Sequence, residues 1–190
     1  MWNELNKEYN SNTAEDLDPS RFIRLIKRVA KNKGNFELSG NKQNDVSEFL
    51  LFFVKCLHDA ISGPSMMIHQ KPTSKISGIV WDMIKAETND YSGINDIFYG
   101  IYVTEITKKN SNRVRSVKAQ QFFVLELSIK NCNNIYDCFE EFTKKELLKG
   151  ENKWYNEKTK LKEEVNLQTK FFRLPNVLVI MFNLVCFINF

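Results

Sequence analysis

Cysteine and histidine are scarce in this sequence, and their placement excludes whole classes of chemistry. The 190 residues hold four cysteines, Cys56, Cys132, Cys138 and Cys186, and only two histidines, His58 and His69. No two cysteines form a Cys-x-x-Cys pair, and neither histidine is near two cysteines in sequence, so a conventional zinc site is not expected. Scattered thiols in a chain this long argue against a disulfide framework and for a reducing compartment. A signal peptide is missing too, because Met1-Trp2-Asn3-Glu4 begins neither a basic nor an apolar stretch. Val177 to Phe190 is apolar, but its 14 residues, broken by Asn183 and Asn189, fall short of the about 20 that a membrane helix needs. It reads as a buried strand. Internal repeats and low-complexity segments are absent. The expected setting is intracellular, cytoplasmic or nuclear, with no membrane partner, no metal and no cofactor.

Charge of one sign is also in short supply. A formal net charge of +4 makes no case for nucleic acid by itself. Arg21, Arg24, Lys27, Arg28, Lys31 and Lys33 place six basic residues and no acid in 13 positions. No aromatic residues interleave on that face, so it reads as a solvated helix face, and nucleic acid is not expected as a partner.

What the sequence does have is a globular composition, 43% apolar and 26% charged, with fifteen phenylalanines that point to a core built on rings. A short helix is expected from Trp2 to Tyr9. Asp18-Pro19 then reads as the N-cap and first position of a helix with Phe22, Leu25, Ile26, Val29 and Ala30 as its apolar stripe. Gly34 and Gly40 bracket a loop that Phe36 and Leu38 can anchor. A further helix fits Ile76, Ile79, Val80, Met83 and Ile84. From Ile97 to Ile106 the chain turns aromatic and β-branched and reads as a strand. Asn110 to Ser116 reads as a turn, Gln121 to Ile129 as one alternating strand, and Ile135 onward as a helix ending near Gly150. Lys153 to Tyr155, Glu163 to Phe172 and Val177 to Phe182 are strands, the last apolar on both faces as a central strand is. Helices followed by strands predict an α+β fold.

The cleanest helix opens at Gln43-Asn44-Asp45-Val46-Ser47-Glu48-Phe49-Leu50 and runs to Ile61. Val46, Phe49, Leu50, Phe53, Leu57, Ala60 and Ile61 keep one face apolar, as in a core helix. Asp45 sits at the N-cap and Glu48 three residues on, the spacing of a capping box.

That helix is followed, in order, by Ile97-Phe98-Tyr99-Gly100, Phe123-Val124-Leu125-Glu126-Leu127-Ser128, Tyr136-Asp137-Cys138-Phe139, Glu146-Leu147-Leu148-Lys149-Gly150, and Lys170 ahead of Leu174-Pro175-Asn176-Val177-Leu178-Val179-Ile180. The ordered set resembles the ubiquitin-specific proteases, the papain-like cysteine deubiquitinases. Their Gln-Gln-Asp-x-x-Glu-Phe-Leu box, F-x-G strand, L-x-L strand and Leu-Pro-x-x-Leu-x-Ile strand occur in this order. Pro19-Ser20-Arg21-Phe22-Ile23 and the Asn- and Lys-rich composition are similar to versions in giant DNA viruses.

The resemblance implies a partial papain-like core. Residues 1–95 are expected as a helical thumb, and 96–190 as antiparallel fingers and palm of the same domain. It implies ubiquitin or a ubiquitinated protein as partner, and hydrolysis of the isopeptide bond as the family reaction. It implies that Asp45, with Gln43, Asn44 and Ser47 in the same box, holds the extended ubiquitin tail.

It also sharpens what is lacking. The family's Gly-Asn-Thr-Cys-type box precedes the Gln-Gln-Asp box, and its Gly-His-Tyr segment follows the Leu-Pro strand. Neither is among these residues, so no catalytic residue is assigned and the chain alone is expected to be inactive. Cys56 and His58 are two apart on one helix, so their side chains diverge by about 200°. The family's paired finger cysteines would fall near Thr107, Asn110, Asn156 and Thr159. Phe182-Asn183-Leu184-Val185 turns apolar where a Leu-Lys-Arg-Phe-like continuation is usual, as a premature stop or a shifted frame would produce. An unpaired apolar strand there predicts self-association. Two alternatives stay open: a non-catalytic ubiquitin-binding scaffold, and a basic nucleic-acid-associated protein.

Overall fold

The computed structural model describes residues 18–64, 72–86, 91–111 and 113–183. The expected helix at Trp2 to Tyr9, His69 and Cys186 lie outside the described residues. The chain divides into two compact units, Met1–Leu50 and Leu51–Phe190.

In the first unit, α1 spans Ser20–Asn32. It starts one residue later than expected, because Asp18 Oδ1 accepts the Ser20 N–H at 2.9 Å and leaves Pro19 at the cap. Gly34 ends it with φ of +74°, a left-handed conformation that glycine adopts without steric cost. The expected loop contains a one-turn helix, α2 (Phe36–Ser39), because Asn35 Oδ1 caps it by accepting the Leu38 N–H at 3.1 Å. Leu38 is buried as an anchor, whereas Phe36 is 77% exposed and anchors nothing.

The helix that opens at the box is α3 (Val46–Ile61). Its core role needs correcting. Val46 is 70% exposed and Ile61 63%, and the buried residue is Val54, which lies outside the expected stripe. Periodicity finds the apolar face; it cannot say what covers it.

In the second unit, α4 (Lys75–Ala86) and α5 (Gly93–Phe98) precede the strands. Phe98 therefore ends a helix, and β1 begins only at Gly100 (Gly100–Lys108). The expected strand at Gln121 to Ile129 is broken at Phe123 into β2 (Val114–Phe122) and β3 (Val124–Ser128). The expected turn at Asn110 to Ser116 contains the first residues of β2, Val114 to Ser116, because Arg113 and Arg115 give that stretch a basic, polar character. Next, α6 (Ile135–Thr143) stops early, since Glu146–Leu148 forms β4 against the later β7. Then come β5 (Trp154–Asn156), β6 (Leu161–Glu163), β7 (Val165–Arg173) and β8 (Val179–Asn183).

The main sheet is antiparallel in the order β2-β1-β7-β4, and β5 pairs with β6. The α+β class and the antiparallel sheet agree with expectation, except that β3 and β8 pair in parallel, Leu125 opposite Ile180. Both faces of the main sheet are covered. On one, Ile101 and Val103 pack against Val80 of α4. On the other, Phe122, Leu125, Leu127 and Cys138 form a buried cluster with Tyr102, Phe139, Phe142 and Phe171 around it. Phe142 and Phe171 stack with centroids 5.5 Å apart. This is the ring-built core that the phenylalanine content predicts.

β8 departs from the buried central strand expected. Its residues grade from half-buried to exposed, and Phe182 is 45% exposed. Among the described residues it has one strand partner, β3, so its second edge carries no ladder.

Candidate functional site

The first turn of α3 is organised by Asp45. Its Oδ1 accepts the Ser47 N–H at 2.7 Å and also the Ser47 hydroxyl. Its carbonyl accepts the Phe49 N–H at 3.1 Å, the first bond of the helix. The Ser47 hydroxyl, then the Ser47 N–H, hold the Asp45 carboxyl below the usual carboxylate range, and the Glu48 N–H adds to this. The group is therefore ionised at neutral pH and lies at the positive end of the helix dipole. The capping half of the expected box is formed, but the return bond from Glu48 to the Asp45 backbone is not.

Beside this turn lies a cavity of about 420 Å³. Phe22 and Ile26 of α1, Leu38 of α2 and Phe49 of α3 give it apolar walls, and Lys27, Lys42, Asn44 and Asp45 also line it. Lys27 Nζ is fixed by donating to Asn41 Oδ1 at 2.5 Å. Asn44 is half-buried and donates from Nδ2 to the Lys42 carbonyl at 3.0 Å. The structure thus brings Asp45 and Asn44 to one cavity. Ser47 is turned onto Asp45, and Gln43 is exposed without lining the cavity. Sequence reading missed the apolar walls as site residues, because Phe22, Ile26 and Phe49 register only as core stripes. A carboxylate offers about four lone-pair directions, and the cap uses three, so Asp45 can still accept one further N–H donor.

His58 serves a different purpose. Its Nδ1 lies 2.8 Å from Ser92 Oγ, and that hydroxyl lies 3.3 Å from Asn95 Oδ1. The tautomer decides which of the two groups donates, and in either case the Ser92 hydroxyl occupies His58 Nδ1. Ser92 is 3% exposed, which denies it to substrate as a nucleophile.

Two motif residues have clear mechanical reasons. At Gly100, a Cβ would enter the Phe122 ring and come within 2.9 Å of Pro175 Cδ, so only glycine fits under that ring. Lys170 Nζ lies 2.7 Å from Glu105 Oε2 and compensates a carboxylate that is 9% exposed.

The region around the β5–β6 pair does not fit a zinc site. Asn156 Nδ2 donates to Glu163 Oε1 at 2.7 Å and Thr159 Oγ1 donates to the same oxygen at 3.2 Å. Arg115 pairs with Glu163 Oε2 at 3.4 Å, and Lys109 with Glu164 at 2.6 Å. The donors gathered there are an amide, a hydroxyl and an ion-paired carboxylate, and none of Thr107, Asn110, Asn156 and Thr159 is a zinc donor of the usual kind. Among the described residues no group of three His, Cys, Asp or Glu side chains could hold a metal. No described helix is long and apolar enough to cross a membrane.

Comparison with known proteins agrees with the motif order. The family model described as ubiquitin carboxyl-terminal hydrolase matches residues 1–187. The chain is 32% identical over 158 residues to ubiquitin carboxyl-terminal hydrolase 5 of Saccharomyces cerevisiae, covering 75% of this chain and 19% of that protein. It is 30% identical over 169 residues to ubiquitin carboxyl-terminal hydrolase 4 of Eremothecium gossypii, covering 80% of this chain and 19% of the relative. Ubiquitin carboxyl-terminal hydrolase 48 of Danio rerio is 28% identical over 162 residues. The chain therefore spans about a fifth of the length of these yeast relatives. With its ordered motifs, its mixed fold and a match across nearly its whole length, the chain belongs to the ubiquitin carboxyl-terminal hydrolase family.

Proposed function

We propose that this chain is a ubiquitin-recognition part of a deubiquitinase domain, and that by itself it binds the ubiquitin tail without cleaving it. One observation carries this reading: an ionised carboxylate, Asp45, on a cavity with apolar walls. An extended peptide needs an acceptor for its backbone N–H groups or for a basic side chain, and an apolar recess for alternate side chains. Asp45 and the cavity supply both, with Asn44 beside them. Ser47 acts through Asp45 by fixing its carboxylate, and Gln43 is reachable from solvent. Residues 1–95 act as thumb, and 96–190 as fingers and palm.

Hydrolysis of an isopeptide bond needs a thiolate, an imidazole to manage its proton and a group to orient the imidazole. These residues include no family Cys box or His box, and the Ser92 contact occupies His58 Nδ1. The role proposed is therefore binding, with ubiquitin or a ubiquitinated protein as partner. Among the described residues β8 pairs with β3 alone, which supports a second expectation, self-association through its other edge.

A ubiquitin derivative carrying a thiol-trapping group at its C-terminus tests the division between binding and chemistry. We expect saturable, non-covalent association and no covalent adduct. An adduct at any of the four cysteines overturns the non-catalytic reading; no association at all overturns recognition.

A further inference from the structure

The cavity beside Asp45 carries two cations that tail binding, as described above, leaves unused. Lys27 of α1 and Lys42 of the loop before α3 line it together with Asn44 and Asp45. Lys27 is half-buried, and its Nζ donates to the neutral side-chain amide of Asn41. Lys42 is exposed. Among the described residues neither ammonium has a carboxylate partner. Asp45 does not serve them, because its carboxylate is engaged by the Ser47 hydroxyl and the Ser47 N–H. The lining therefore holds two positive charges and one negative, beside the apolar walls of Phe22, Ile26 and Phe49. An ammonium taken partly out of water gains more from an anion than one on an open surface, so Lys27 is the stronger of the two attractors.

We propose that this cavity selects a peptide tail ending in a free α-carboxylate, with Lys27 and Lys42 as the groups that read it. The inference rests on the tail-binding role of Asp45 and narrows its partner to unconjugated ubiquitin, rather than ubiquitin joined to a protein through that carboxyl. An extended tail presents backbone N–H groups or a basic side chain to Asp45, an apolar side chain to the walls, and its terminal carboxylate to the two lysines. Asn41 takes one of the three Lys27 Nζ–H donors, which leaves two for that carboxylate. In a conjugate the same carboxyl is a neutral amide, so the charge that the lysines attract is gone. Hydrolysis of an isopeptide bond creates this carboxylate, and the ligand selected is therefore the product class of the family reaction. A nucleic acid fits less well, because the ionised Asp45 on the same lining repels phosphates.

Two forms of ubiquitin separate this inference from the role it rests on. Ubiquitin with its natural terminal carboxylate, and ubiquitin whose terminus is a primary amide, are each titrated against the whole chain by calorimetry. The carboxylate form is expected to bind about tenfold or more tightly, the worth of a hydrogen bond to a charged group. Added salt should shrink the preference. Lys27→Gln with Lys42→Gln should erase it, and Lys27→Gln alone should remove more of it than Lys42→Gln alone. Equal affinity of the unaltered chain for the two forms overturns this inference and leaves tail recognition standing. So does a preference that persists in the double variant. Binding to neither form overturns tail recognition itself, and this inference with it.

Discussion

The helical unit and the sheet unit treat the same kind of sequence pattern in opposite ways. In the sheet unit, apolar positions are covered by the chain itself: Val80 covers one face and the Phe122–Leu127 cluster the other, and Leu127 and Val165 are 0% exposed. In the helical unit, α1 shows an equally clean stripe, yet Leu25 within it is 54% exposed. Phe22, Ile26 and Phe49 line a cavity instead of a sealed core. An apolar face left open beside charged groups has the character of a binding surface. The contrast separates the part of the chain that holds itself together from the part proposed to hold a partner.

Substitutions can break or sharpen that contrast, starting with the largest effect. Leu127→Ala removes a fully buried side chain and is expected to cost about 2–5 kcal/mol in urea unfolding, whereas Leu25→Ala stays within about 0.5 kcal/mol. Equal shifts would erase the distinction between the units. Gly100→Ala forces the Phe122 ring aside and is expected to cost about 1–3 kcal/mol, read from the same unfolding midpoint. Lys170→Met strands the Glu105 carboxylate. It should cost about 1 kcal/mol, the low end for an unpaired buried group, because the Lys170 side chain is 50% exposed. A neutral result would mean that water already solvates Glu105.

The smallest effect is at Asp45. Its folded carboxyl is held below the usual range, so its stabilising contribution is present above the unfolded value, near about pH 4. The contribution is lost as pH falls through the lower folded value. Helix content followed by circular dichroism down an acid titration should show this loss, and Asp45→Asn, which still caps, should flatten it.

Element types were readable where one local pattern decided them. The 3.6-residue period gave α1, α3 and α4, and the Asn134 cap agrees with a helix starting at Ile135. Reading failed where tertiary pairing overrode local pattern. Glu146-Leu147-Leu148 looks helical but pairs with β7, and Val114 to Ser116 looks like a basic turn but pairs with β1. At the site, Asp45 was legible from its cap position, while the cavity walls were not, because covered and uncovered apolar faces have the same period.

The account rests on recognition at Asp45, and titrating isotopically labelled ubiquitin with this chain tests it most directly. Shifts are expected to concentrate in the C-terminal tail of ubiquitin, to vanish with ubiquitin lacking that tail, and to weaken severalfold with Asp45→Asn, whose fold and cap persist. Unchanged binding by Asp45→Asn, or binding that ignores removal of the tail, would contradict it.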